Sequence, residues 1–353
     1  MFIYEAPFHF IAPRRIPPTN PDSPDQCLQL PPSLELGESF IDESTGKRFA
    51  QPSITYYLRA AVEVIIGGFG GNKSLETFLA VIIAPYTEEL PPTAIDDFPL
   101  EFEEQQSKLL RRSLIGGVLG TMKASLQEPP ALRYGTSSRH SVTNAVMKLE
   151  YESTSLGDVQ KTLQGLSFKV YSLVRVKTFY SVKSFPRLPS QSLLGLRSET
   201  RLRDGVIKLE TQLVQNASWG YRFNLDRETS AAPASPNGSS RLFEGVLEQH
   251  KTQSFKSDGP NGKWLSYWTI PIEVNGRLLP TFCSSLVARL YSLIVRVKVA
   301  GARAEFFDLE VPLQVIHTSI GKTKSPTVEP IQEQLLEYRS DSETFRFGDE
   351  PLV

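Results

Sequence analysis

The chain has 353 residues, a formal net charge of -1, 40% hydrophobic and 22% charged residues. That composition fits a globular protein able to bury a core and excludes a nucleic-acid binder that works by bulk positive charge. The length suggests about two domains, and the 26 prolines favour turns and sheet edges over long helices.

The first fifty residues are proline-rich and irregular. PFHFIAP is expected to give one short strand and LPPSLELGESFIDESTGKRF an exposed loop. ITYYLRAAVEVII then alternates, with Ile54, Tyr56, Leu58, Ala60, Val62 and Val64 on one side, so a half-buried strand is predicted. The glycine-rich GGFGGNKS leads into LETFLAVIIAP, a second strand, and the two read as a hairpin. DDFPLEFEEQQSKLLRRSLIGGV holds good helix formers over Glu103–Ser113, with Leu109, Leu110 and Leu114 as its apolar residues there, so a short helix and an extended edge fit it equally. VLGTMKASL reads as the last strand of a first unit. The polar, proline-bearing EPPALRYGTSSRHS places a domain boundary near residue 132.

The second half repeats the pattern. NAVMKLEYES, LSFKVYSLVRVKTFYSV, RDGVIKLETQLV, WLSYWTIPIEV, LYSLIVRVKV and FFDLEVPLQVI all alternate. Tyr291, Leu293, Val295, Val297 and Val299 share one face, as do Phe307, Leu309, Val311, Leu313 and Val315. Such a series predicts an all-β protein of antiparallel sheets packed as sandwiches. DRETSAAPASPNGSS is expected to be a mobile loop, and the polar stretch after Ser319 a disordered tail with at most a short helix at IQEQLLEYR.

Catalytic signatures are weak throughout. In VEVIIGGFGGNKS, Asn72 separates Gly71 from Lys73, and a strand follows where a phosphate loop needs a helix. IGKTKS has Gly-Lys-Thr but Ile316 at the first glycine position. His9, His140, His250 and His317 make no metal-ligand pair, no G-x-S-x-G elbow occurs, and Asp96, Asp97, Glu101, Glu103 and Glu104 read as a solvated charge run. Trp264, Tyr267 and Trp268 read as core packing. No catalytic, cofactor or metal residue is therefore assigned. Arg197, Arg201 and Arg203 in LLGLRSETRLRDG read as solvated turns or as a docking patch for anionic partners such as phosphorylated tails or lipid head groups. The two cysteines, Cys27 and Cys283, have the number for one bridge, but such sparse usage points to the cytosol. No basic-then-apolar leader opens the chain, so the three Asn-x-Ser sequons, at Asn72, Asn216 and Asn237, read as chance. No apolar run reaches the ~18 residues of a membrane span.

Several segments in order resemble the arrestin family, specifically its fungal arrestin-like trafficking proteins. LPPSLELGESFIDESTGKRFAQPSITYYLRAAVEV resembles the N-domain region where a proline pair leads into an Ile-x-Tyr-x-Leu-x-Ala strand. MKLEYESTSLGDVQKTLQGLSFKVYSLVRVKTFYSV resembles the opening of the C-domain. PTFCSSLVARLYSLIVRVKV with LEVPLQVI resembles its closing strands, with their Pro-x-Phe turn, Tyr-x-Leu strand and Val-Pro strand. The resemblance implies two consecutive immunoglobulin-like β-sandwiches: an N-terminal one over 1–132, shortened because the match begins in mid-domain, and a C-terminal one over 133–320, with a polar tail over 321–353. It implies a non-enzymatic cytoplasmic adaptor without cofactors. Such an adaptor binds cytosolic tails of membrane transporters or receptors, links them to endocytosis or ubiquitination, and makes peripheral contact with the plasma membrane or endosomes. Nucleic acid is not among the partners implied. Each Pro-Pro here (PPTN, PPSL, PPTA, PPAL) departs from the Pro-Pro-x-Tyr motif that docks ubiquitin ligases. A retromer-type coat subunit, or an enzyme with a site assembled from scattered residues, are the alternative readings.

Overall fold

The computed structural model describes residues 10–13, 15–18, 24–37, 39–41, 46–64, 73–88, 90, 97–98, 103–113, 116–153, 159–196, 199–223, 262–304 and 306–318. DRETSAAPASPNGSS and the polar tail lie outside them; of PFHFIAP, residues 7–9 lie outside and residues 10–13 form no strand. The protein is all-β: among the described residues the sheets are antiparallel apart from one short parallel pair, with two short α-helices and one 3-10 turn.

In the first hundred residues the strands pair in twos. β1 (Leu34–Glu35), β2 (Ser39–Ile41), β3 (Arg48–Ala50) and β4 (Ser53–Ile54) form the pairs β1–β4 and β2–β3. β5 (Tyr56–Val64) and β6 (Lys73–Val81) form the predicted hairpin. The exposed loop expected from LPPSLELGESFIDESTGKRF is thus corrected in part: it contributes strands, and Pro31, Pro32 and Leu34 are buried. Paired prolines hold the backbone extended without needing a donor partner, which lets this segment lie flat against its neighbours.

The rest of the chain builds one core between two sheets. In order come β7 (Glu103–Arg111), β8 (Val118–Gln127), β9 (Leu132–Tyr134), β10 (His140–Ser153), α1 (Val159–Gln164) and β11 (Ser167–Ser181). Then come α2 (Gln191–Leu196), β12 (Thr200–Lys208), β13 (Gln212–Val214), β14 (Gly220–Phe223) and β15 (Gly262–Asn275). Last come β16 (Phe282–Cys283), β17 (Val287–Ala300), β18 (Phe307–Leu313) and β19 (Val315–His317). One sheet runs β14-β15-β10-β8-β7. The other runs β12-β11-β17-β16, with β13 also on β11 and β18 also on β17.

Period-two burial explains why the sheets meet. The inward residues of β10 (Ala145, Met147, Leu149, Tyr151) and β15 (Trp268, Ile270, Ile272, Val274) face Phe168, Val170, Val174 and Val176 of β11. The predicted apolar sets of β17 and β18 join them in the same core. Across the gap, Phe168 meets Trp268 edge to face with ring centroids 4.5 Å apart. Trp268 is the core tryptophan expected, whereas Tyr267 points outward.

Two of the expected features fall within this unit. The helix-or-edge segment is an extended edge: β7 alternates exposed and half-buried residues and pairs with β8. The boundary near residue 132 falls inside the double-sheet unit, because β8 before it and β10 after it are antiparallel neighbours over Leu126–Gly120 and Met147–Ser153. At the edge β7 also meets the other sheet, where the Asp308 amide donates to Gln106 Oε1 at 3.0 Å.

β19 pairs in parallel with β9 and carries the buried His317. Its Nε2 lies 2.8 Å from the Leu278 carbonyl, to which a neutral ring donates, and Nδ1 faces Arg277. Burial, together with Arg277, outweighs that hydrogen bond and pushes the imidazole down to about 4. The unfolded chain therefore takes up the proton near pH ~6.5, the folded one only near 4. Stability from this group is full above the unfolded value, falls as pH drops through that window, and is level below it. The expected loss is on the order of 3 kcal/mol. Urea unfolding measured across the window should show it, and His317→Gln should flatten the slope.

Candidate functional site

Three places on the molecule bring chemically distinctive residues together: the outer face of the six-stranded sheet, the surface of β12 and the β5–β6 hairpin.

On the outer face, one end is covered by a second apolar cluster of Cys27, Phe179, Phe185, Leu193, Cys283 and Ala288. Beside that cover sits an ion-pair network. The Lys177 side chain, 5% exposed, places Nζ 3.2 Å from Glu310 Oε1 and 3.6 Å from Asp97 Oδ2. It also lies over the Phe98 ring. Glu310 accepts from Ser292 Oγ at 2.6 Å and from Arg175 Nη1 at 3.3 Å. Arg175 in turn donates Nε to both Asp204 oxygens, at 3.0 and 2.9 Å. Asp97 accepts the Gln191 amide at 2.9 Å, at the first residue of α2.

The charges settle one another. Burial alone would raise Glu310, but Lys177, the Ser292 hydroxyl and Arg175 together hold its carboxyl below the usual value. The Asp204 hydrogen bonds raise Arg175. Burial and then the charge of Glu310 raise Glu104 on the neighbouring edge. Carboxylates each held by a cation or a backbone amide suit a clamp, which joins the sheet to the Asp97 segment and to α2. Asp97, expected in a solvated charge run, is a member of this network. Lys177, Arg175 and Glu310 escaped sequence reasoning because a charge on the outer side of an alternating strand looks the same whether water or another segment covers it. The signal that covering exists was the apolar content of the 182–194 connection, Phe185 and Leu193.

Of the three predicted docking arginines, Arg197 lies outside the described residues. Arg201 and Arg203 share one face of β12. Arg203 donates to the Leu36 carbonyl and to Gln51 Oε1 at 3.1 Å, so its guanidinium holds the N-terminal segment. Arg201 is exposed on its strand and donates to the Thr200 carbonyl. Burial raises the Tyr180 hydroxyl beside them, against the opposing charges of Arg201 and Arg203.

The hairpin presents a different surface. Opposed residues of an antiparallel pair share a face. The pairs Tyr56–Val81, Leu58–Leu79, Ala60–Thr77 and Val62–Leu75 therefore form one side. That side is almost wholly apolar, yet Val62, Leu75 and Leu79 are 57, 62 and 64% exposed. The expected half-burial holds at the base of the hairpin, where Tyr56, Leu58 and Val81 are half-buried, and fails toward its tip, where Val62, Leu75 and Leu79 are exposed. The other side carries the Arg59–Glu76 ion pair beside Phe78. β5 and β6 pair only with each other among the described residues, so each has an edge with unpaired backbone groups. The hairpin base is fixed: Ser33 N donates to Ile83 O at 2.8 Å, Ile83 N to Ser33 Oγ at 2.9 Å, and Tyr56 Oη to Pro31 O at 2.6 Å.

Other sequence features fall elsewhere. Lys73 and Ser74, expected at the end of the glycine-rich loop, instead open strand β6. His140 pairs with Glu273 at 2.8 Å on the surface, and His9 and His250 lie outside the described residues. Among the described residues no group of three or more His, Cys, Asp and Glu comes together to hold a metal ion, and no helix is long and apolar enough to cross a membrane. No protein-family model matches the chain, and no curated protein matches it.

Proposed function

We propose that this protein is a non-enzymatic binding module, an arrestin-like adaptor that takes extended segments of other proteins onto its β5–β6 hairpin. The observation that carries the reading is the apolar face of that hairpin, exposed at Val62, Leu75 and Leu79 and flanked by two strand edges that pair with no other strand among the described residues. A two-stranded ribbon is marginal in water by itself. A partner strand that adds to an edge pairs its backbone groups and covers apolar side chains at alternate positions. In this reading the hairpin belongs to the first of two immunoglobulin-like sandwiches, and β7–β19 form the second. The occupants are cytosolic tails of membrane transporters or receptors, which the adaptor links from the cytoplasm, at the plasma membrane or endosomes, to endocytosis or to a ubiquitin ligase. Arg201 adds a positive charge for anionic groups on such a tail.

The test is an array of transporter and receptor tail peptides probed with the full chain. Saturable binding to tails able to run extended, lost when proline replaces alternate residues, is expected, because proline removes the donors of a ladder. Equal binding of the proline-substituted tails would contradict strand addition.

A further inference from the structure

We propose that Cys27 and Cys283 form a reversible intramolecular disulfide, a covalent staple between the N-terminal strap and the edge of the six-stranded sheet. The two are 256 positions apart in sequence, yet their Sγ atoms are 2.7 Å apart. Both side chains are buried, among Phe179, Phe185, Leu193 and Ala288. A buried cysteine is usually an inert small apolar residue. Two that face each other this closely, from backbones already tied together, are placed for bonding. The ties are direct: Gln29 N donates to Cys283 O at 3.3 Å, and Cys283 N donates to Gln29 Oε1 at 3.2 Å.

The strap also reaches the hairpin. Four residues after Cys27, Pro31 accepts from Tyr56, and Ser33 then binds Ile83 twice. Leu34 pairs with Ile54 and Leu36 accepts from Arg203. Closing the sulfur pair therefore anchors the base of the hairpin to the sandwich, and opening it leaves that base held by hydrogen bonds and packing. This consequence for the hairpin rests on the binding function proposed above; the disulfide itself does not.

The chemistry is thiol–disulfide exchange with a low-molecular-weight disulfide such as oxidised glutathione. The Cys27 thiolate attacks one external sulfur, expelling one small thiolate and leaving a mixed disulfide. Cys283 then attacks Cys27 Sγ, forming the protein S–S bond and expelling the second. Two protein thiols are oxidised, the external disulfide is reduced to two thiols, and the two protons end on them. The hydrogen bond from Cys283 lowers the Cys27 thiol, while burial raises Cys283, which fits Cys27 as the first to react. Because both sulfurs are buried, exchange proceeds when the strap lifts.

The experiment treats the full chain with oxidised glutathione or with a dithiol reductant, then alkylates it under denaturing conditions and weighs it. After the oxidant, the expected product is lighter than the reduced chain by two hydrogens, takes up no alkylating agent, and yields a linked Cys27–Cys283 peptide. Its melting midpoint should exceed that of the reduced protein by roughly 5–15 °C, as loop closure over a long chain implies. Cys27→Ser and Cys283→Ser should each abolish that rise. Full alkylation of both residues after oxidation, separate glutathione adducts on each, or disulfide-linked dimers would overturn the proposal. The mass result on the unsubstituted chain stands even if a serine variant does not fold. No partner enters the measurement, so it fails or succeeds independently of the binding function.

Discussion

Replacing Lys177 with alanine is expected to cost about 3–5 kcal/mol in denaturant unfolding, toward the lower end because water reaches part of Glu310. The Lys177 side chain is 5% exposed, and its ammonium stands between Glu310 and Asp97. Removing it leaves two carboxylates near the Phe98 ring and the Phe179–Phe185 cluster with less positive charge to offset them. Asp97 keeps only the Gln191 amide among its contacts described above, so the Asp97 segment and α2 should loosen first, visible as faster amide exchange at Gln191. Lys177→Met keeps most of the stem volume and should cost less. Adding Glu310→Gln to Lys177→Met removes the opposing charge and should recover much of the loss, a coupling that a double-mutant cycle reads directly. A cost below about 1 kcal/mol for Lys177→Ala would mean that the network behaves as an ordinary surface pair.

The sheets were legible in the sequence where one apolar face meets another. Tyr291, Leu293, Val295, Val297 and Val299 alternate because they line a core, and they are buried as a set. The same rule held only in part at β5, where Leu58 is half-buried but Val62, further along the same alternation, is 57% exposed: periodicity reports that a strand has an apolar face, not how much of it is covered. The stretch read as a boundary near residue 132 poses a related ambiguity. A polar, proline-bearing connection looks the same between domains as between β8 and β10, which pair across it. Distant encounters were not legible at all. Nothing local tells Asp97 that it will meet Lys177, or Cys27 that it will meet Cys283 across 256 positions.

Substituting threonine for both Leu75 and Leu79 is expected to weaken tail binding roughly 100-fold, since each buried leucine contributes about 1.5–3 kcal/mol and threonine returns part of it. Threonine is β-branched, a shape that strands favour. Both positions are more than half exposed, so the unfolding midpoint of the double-sheet unit should stay within about 0.5 kcal/mol of its original stability. Loss of binding with stability intact separates a docking face from a structural one. The decisive measurement is therefore a side-by-side titration of one retained tail peptide against the original chain and the Leu75→Thr, Leu79→Thr variant, with unfolding recorded on both. A large drop in affinity at unchanged stability is the predicted result; equal affinities would place the docking surface somewhere other than the hairpin.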